Sequence, residues 1–192
     1  ERFIRNMFNL VMNGLREVHT NKLLHLDLKP ANIYLRMDGT PILLDFGAAR
    51  QTLKTDMPKL YPMYTPGFAA PELYVKNSNL GPWTDIYSIG ASMFACMVGA
   101  PPQPADQRKT NDKMEAHYKK LEGTYSSELI DVVRMCLKLD PMERPQSVFA
   151  LQKALTTKAP PQREIGFFER TKMKISALIG KNNKDSDDKD FT

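Results

Sequence analysis

The stretch that decides the reading is HLDLKPANIYL, His25 to Leu35. Within eight residues it sets an aspartate (Asp27), a lysine (Lys29) and an asparagine (Asn32) behind a histidine and an apolar residue, Leu26. Upstream, Ile4, Met7, Phe8, Val11, Leu15 and Val18 recur at the spacing of one helical face, so Phe3 to His19 is expected to be an amphipathic helix. Downstream, IYL (33–35) and ILL (42–44) flank MDGT, whose Asp38-Gly39 pair is a strong two-residue hairpin signal. A hairpin here brings Asn32, just before its first strand, and Asp45, just after its second, to the same end of a short ribbon.

Residues 48–70 hold no sustained period and carry Pro58, Pro62, Pro66 and Gly67, which predicts a long irregular connection of the kind that usually serves function. Helical patterns resume at Trp83–Val98, Asp112–Leu121, Ser126–Leu139 and Gln146–Leu155, and nothing beyond the hairpin reads as a strand. The uncharged run from Ile86 stops near Ala100, before Pro101, Pro102 and Pro104. It is too short for a membrane span and predicts a helix buried on all sides.

The chain has 192 residues and a net charge of +5, with basic residues scattered through most of its length. That leaves room for one domain with a sizeable core and does not suggest a nucleic-acid binder. Cys96 and Cys136 form no metal-ligand pair or disulfide framework and read as reduced core thiols. After Leu155 the composition changes. TTKAPPQRE reads as a linker, and residues 163–184 carry six Lys/Arg interleaved with Phe167, Phe168, Met173, Ile175, Leu178 and Ile179. Two readings stay open for that segment: a membrane-surface or docking helix, or a solvated linker or a helix packed on the domain. DSDDKDFT is expected to be a charged, disordered end.

HLDLKPAN (25–32), LLDFGAAR (43–50), TPGFAAPE (65–72), WTDIYSIG (83–90) and ERPQS (143–147), in this order, resemble the C-terminal lobe of a eukaryotic-like (bacterial-type) serine/threonine protein kinase. A lone HxDxxxxN would be a weak signal; joined to DFG and APE it is specific. The resemblance implies a mainly α lobe over residues 1–157, with one short β-hairpin, followed by a linker and tail at 158–192. It also implies transfer of the ATP γ-phosphoryl group to protein hydroxyls, with Mg²⁺ as cofactor and ATP and a protein as partners.

Residue by residue, Asp27 matches the catalytic base that orients the substrate hydroxyl. Lys29 matches the contact to the γ-phosphate, and Asn32 and Asp45 the Mg²⁺ ligands. Thr65 matches the threonine that hydrogen-bonds the aspartate and lysine. Glu72 and Arg144 correspond to a buried ion pair, Asp85 to the aspartate that holds the catalytic-loop backbone, and His25 and Phe46 to stacked hydrophobic members, so that His25 is expected as a core imidazole.

Two departures stand out. Leu26 occupies a position where many members carry an arginine that pairs with a phosphorylated residue. Activity is therefore expected not to depend on phosphorylation of Thr52, Thr55, Tyr61 or Tyr64. None of the ten glycines forms GxGxxG and no VAIK-like strand occurs, so the N-terminal lobe is expected to be absent from this chain, which reads as a fragment that alone binds ATP poorly. Two other functions are compatible with parts of the pattern. One is a catalytically silent kinase-like scaffold, disfavoured by the intact Asp27, Lys29, Asn32 and Asp45. The other is a small-molecule phosphotransferase, disfavoured by TPGFAAPE and the distal arginine. The expected location is the cytoplasm, or the cytoplasmic part of a membrane-associated protein. The protein substrate and oligomeric state are not legible.

Overall fold

A computed structural model describes residues 1–46, 50–51 and 64–156. Gly47, Thr52, Thr55, Tyr61 and the segment 163–184, on which several expectations fall, lie outside the described residues.

The first helix, α1 (Arg2–Thr20), follows the apolar spacing closely: Ile4, Met7, Phe8, Val11, Met12 and Leu15 are all buried. Burying Phe8, Met12 and Leu15 completely contributes about 1.5–3 kcal/mol each. Two short ladders follow. Strand β1 (Leu23–Leu24) precedes the HLDLKPAN loop, and β2 (Ile33–Leu35) pairs antiparallel with β3 (Pro41–Leu43), Tyr34 opposite Ile42. Strand β4 (Arg50–Gln51) pairs antiparallel with β1, Leu24 opposite Arg50.

This second ladder corrects the expectation that only the hairpin would be extended. Two-residue strands are too short to display a period of two, so no pattern announced them. The hairpin turn also differs from the one expected. A two-residue type I′ turn needs φ > 0 at both central residues. Here Gly39 alone among the turn residues is left-handed (φ 82°), its N–H donates to Arg36 O (2.9 Å), and the Arg36 N–H donates to Thr40 O (3.0 Å). The loop is a turn over Arg36–Gly39 with the glycine absorbing the bulge.

The helical body starts with α2 (Pro82–Val98), which has Pro82 at its first position and the left-handed Gly99 after its last. Its residues from Thr84 to Phe94 are all buried, as expected of a helix apolar on every side. Around it pack α4 (Met114–Leu121), α5 (Ser127–Cys136) and α6 (Val148–Thr156); α3 (Ala105–Arg108), a single unanticipated turn, comes between α2 and α4. The approach of α2 to α5 is tight, since a Cβ at Gly90 would lie 2.3 Å from Cys136 Cβ. Of the two cysteines, Cys136 is in the core but Cys96 is exposed, contrary to the reading of both as core thiols: it falls on the last turn of α2, where the helix emerges.

Polar ties join elements far apart in sequence. Gln152 of α6 donates to Asn13 Oδ1 (2.8 Å) on α1. The Glu1 carboxylate accepts from the Ser126 N–H (2.8 Å) and hydroxyl (2.6 Å), while Arg5 donates to Leu155 O (2.5 Å). None of the described helices is long and apolar enough to cross a membrane.

Candidate active site

The HLDLKPAN loop is held from below by one buried carboxylate. Asp85, in the first turn of α2 and fully buried, accepts from the His25 N–H (Oδ2, 2.9 Å) and the Leu26 N–H (Oδ1, 2.8 Å). It accepts a third hydrogen bond from His19 Nε2 at 2.8 Å. His19, at the end of α1, was missed in the sequence. It lies one residue past the last apolar position of the helix, and nothing about its spacing marks it.

His25 is wholly buried, its ring centroid 4.8 Å from that of the half-exposed Phe46 and its Nε2 3.1 Å from Leu44 O. Leu26 has a left-handed backbone (φ 65°), a conformation that costs a non-glycine residue about 1–2 kcal/mol.

Above this foundation the polar side chains converge. Lys29 Nζ donates to Asp27 Oδ2 (2.9 Å) and to Thr65 Oγ1 (2.8 Å), and Thr65 Oγ1 donates to Asp27 Oδ1 (3.1 Å). Asn32 Nδ2 donates to the Asp27 backbone carbonyl (2.8 Å) and to Asp27 Oδ2 (3.1 Å). Asn32 sits in a 3₁₀ turn, Pro30–Asn32, started by Pro30, and its own carbonyl accepts from the Leu44 N–H (2.8 Å), extending the β2–β3 ladder by one bond. Asp45, the residue that follows Leu44, is also left-handed (φ 57°) and exposed. The structure thus brings Asp27, Lys29, Asn32 and Thr65 into one hydrogen-bonded group and puts Asp45 one residue beyond its edge.

Thr65 reaches Asp27 because its own segment is anchored. The Ala69 N–H donates to Thr65 O (3.1 Å), and Ser88 of α2 donates to Phe68 O (2.8 Å). In the 3₁₀ turn Pro71–Tyr74, Glu72 meets Arg144 in a bidentate pair, Nη1 to Oε1 at 2.8 Å and Nη2 to Oε2 at 3.0 Å. Arg144 also donates to Lys138 O, Leu139 O and Trp83 O, so all five of its N–H groups are used in a nearly dry setting. The neighbouring Tyr74, its ring 4.5 Å from that of Tyr64, has its phenol pushed up to about 12, chiefly by burial.

Asn32 and Asp45 suit Mg²⁺. Both offer hard oxygen donors, and the two donor bonds from Asn32 Nδ2 to Asp27 turn its Oδ1 away from that residue. Mg²⁺ takes one or two protein oxygens alongside phosphate and water, rather than a protein cage. Among the described residues no group of three or more His, Cys, Asp or Glu is arranged to hold a metal.

The protein kinase domain model matches residues 1–156. The chain belongs to the protein kinase family. Its described residues form the helical C-terminal lobe of that fold, with the small hairpin beside the loop. A probable serine/threonine-protein kinase of Dictyostelium discoideum is 29% identical over 161 residues, 79% of this chain and 31% of that protein. Mitogen-activated protein kinase kinase kinase 19 of Homo sapiens is 33% identical over 152 residues, 74% of this chain and 11% of that protein. The solved structure of PpkA-294 in its apo form superimposes with a TM-score of 0.68 at 32% identity, over 81% of this chain and 54% of that one. The kinase lobe therefore spans about half of that solved chain and smaller fractions of these two curated relatives.

Proposed function

We propose that the protein containing this lobe phosphorylates serine or threonine hydroxyls of proteins with ATP. Residues 1–157 are its catalytic C-terminal lobe and 158–192 a linker and tail. The observation that carries this reading is the convergence of Lys29, Thr65 and Asn32 on the single carboxylate of Asp27, all within 3.1 Å. Asp27 accepts a hydrogen bond from the incoming hydroxyl and aims its oxygen at the phosphorus. Its own orientation is fixed by Thr65 and Asn32, so little reorganisation accompanies the reaction. Lys29, between Asp27 and Thr65, offers its ammonium to the γ-phosphate. Asn32 and Asp45 would hold Mg²⁺, which when bound neutralises phosphate charge.

Two observations support serine/threonine over tyrosine: a lysine two residues after the aspartate, where tyrosine-specific members usually carry alanine, and the serine/threonine kinases among the relatives. A cytoplasmic setting suits a lobe whose two cysteines are both free. The test is phosphate transfer from ATP to a generic protein by the full-length protein, followed by phospho-amino-acid analysis. Asp27→Ala is expected to lower kcat by about 10²–10⁴-fold. Equal rates in the two proteins would remove the mechanism, and phosphotyrosine as the product would remove the serine/threonine assignment.

A further inference from the structure

Leu26 combines three features. Its backbone is left-handed, its N–H is held by Asp85, and its side chain, 4% exposed, is buried away from the main core. The side chain belongs to a separate apolar cluster with Leu24, Ala69 and Leu73, against which Tyr74 and Leu80 pack. The cluster joins two stretches of chain. Leu24 and Leu26 come from the strand and loop that present Asp27; Ala69 and Leu73 come from the segment that presents Thr65.

A residue held only for its backbone geometry at positive φ would be better served by glycine or asparagine, which adopt that conformation at less cost. A leucine there is explained by what its side chain packs on.

We infer that Leu26 is a positioning residue: an apolar clamp that fixes the loop bearing Asp27 to the segment bearing Thr65, so that these two side chains keep their register through packing. The inference rests on the proposed kinase function. Asp85 alone fixes where the loop backbone lies relative to α2. It does not reach residues 69–73; there the side chains of Leu26 and Leu24 supply an apolar tie, alongside the polar bonds that Lys29 and Asp27 make with Thr65. Because the tie is apolar, its strength does not depend on a charge or phosphate being present in the segment.

The experiment measures kcat and KM for ATP and for a protein substrate in the full-length protein, with Leu26→Ala, Leu26→Asn, Leu26→Met and Leu73→Ala. Leu26→Asn relieves the backbone but removes the packing; Leu73→Ala removes the packing from the opposite side without touching the loop. The expected result is a fall in kcat of about tenfold to a hundredfold for Leu26→Ala, Leu26→Asn and Leu73→Ala, the scale of a small displacement of a reacting group. KM for ATP should be unchanged, and Leu26→Met should stay within about threefold of the parent because its volume is conserved. A Leu26→Asn protein as active as the parent would overturn the inference, since backbone geometry would then suffice. So would an unchanged kcat in Leu73→Ala, which also decides the matter if the Leu26 variants do not fold. A parent protein that transfers no phosphate would instead defeat the proposed function. An active parent, silenced by Asp27→Ala but indifferent to Leu26→Asn and Leu73→Ala, would defeat this inference alone.

Discussion

Replacing Arg144 with methionine removes a guanidinium whose five N–H groups are all engaged. Arg144 is 3% exposed and Glu72 8%, so solvent does not rescue what is left. The Glu72 carboxylate keeps the Thr84 hydroxyl (2.9 Å) but loses both charge-assisted bonds, and three backbone carbonyls lose a donor. Breaking one side of a buried pair costs about 3–5 kcal/mol. Domains of this size gain only about 5–15 kcal/mol from folding. At about 2–4 °C per kcal/mol, the loss corresponds to a fall in melting temperature of about 6–20 °C.

Scanning calorimetry at neutral pH on the parent, Arg144→Met, Glu72→Leu and the double variant measures this. Either single change is expected to be severe. The double change should recover a large share, because it leaves no uncompensated charge. A shift of less than about 3 °C in Arg144→Met would refute the argument, as would a double variant whose loss equals the sum of the singles.

Four other perturbations have defined outcomes. Asp85→Asn turns an acceptor into a donor opposite the His25 or Leu26 N–H; about 1–3 kcal/mol of stability should be lost in urea titration, and kcat should fall while KM for ATP holds. Gly90→Ala forces a Cβ onto that of Cys136 and should cost about 1–3 kcal/mol, partly restored by Cys136→Gly, as thermal unfolding would show. Burial alone would raise the Asp112 carboxyl, but hydrogen bonds from the Arg108 guanidinium and the Met114 N–H outweigh it and hold it below the usual carboxylate range. Its stabilisation is therefore full above about pH 4 and lost as pH falls through the depressed value, so the stability gap between parent and Asp112→Asn, read as urea midpoints, should close towards low pH. Finally, with no GxGxxG in the sequence and with Leu44 and Phe46 about half exposed, the 192-residue chain by itself should give no saturable heat with Mg-ATP in calorimetric titration, and a saturable isotherm would count against that expectation.

The helices were legible where burial is one-sided or complete. The period of Ile4 to Leu15 located α1 to within a residue at its start, and the uncharged run from Ile86 identified α2 as central. The hairpin was legible from Asp38-Gly39, but its turn type was not, because Asp-Gly serves both two-residue loops and longer ones ending in a left-handed glycine. The β1–β4 ladder and α3 are too short to carry any period. At the site, sequence order put Asp27, Lys29 and Asn32 close together without tertiary information. The reach of Thr65 across thirty-eight positions to Asp27 was suggested only by family resemblance, and its geometry depends on Ser88, Glu72 and Arg144 fixing the segment from beneath. His19 escaped altogether, since a helix-terminal histidine is also a common way to satisfy the last carbonyls.

A carboxylate has about four acceptor positions. On Asp27, Lys29, Asn32 and Thr65 already occupy three of them. Under the proposed function, one seat remains for a visiting hydroxyl, and its direction is dictated by the three guests already at the table. An aspartate with one open acceptor direction holds that hydroxyl in a single orientation, which is what an in-line transfer requires.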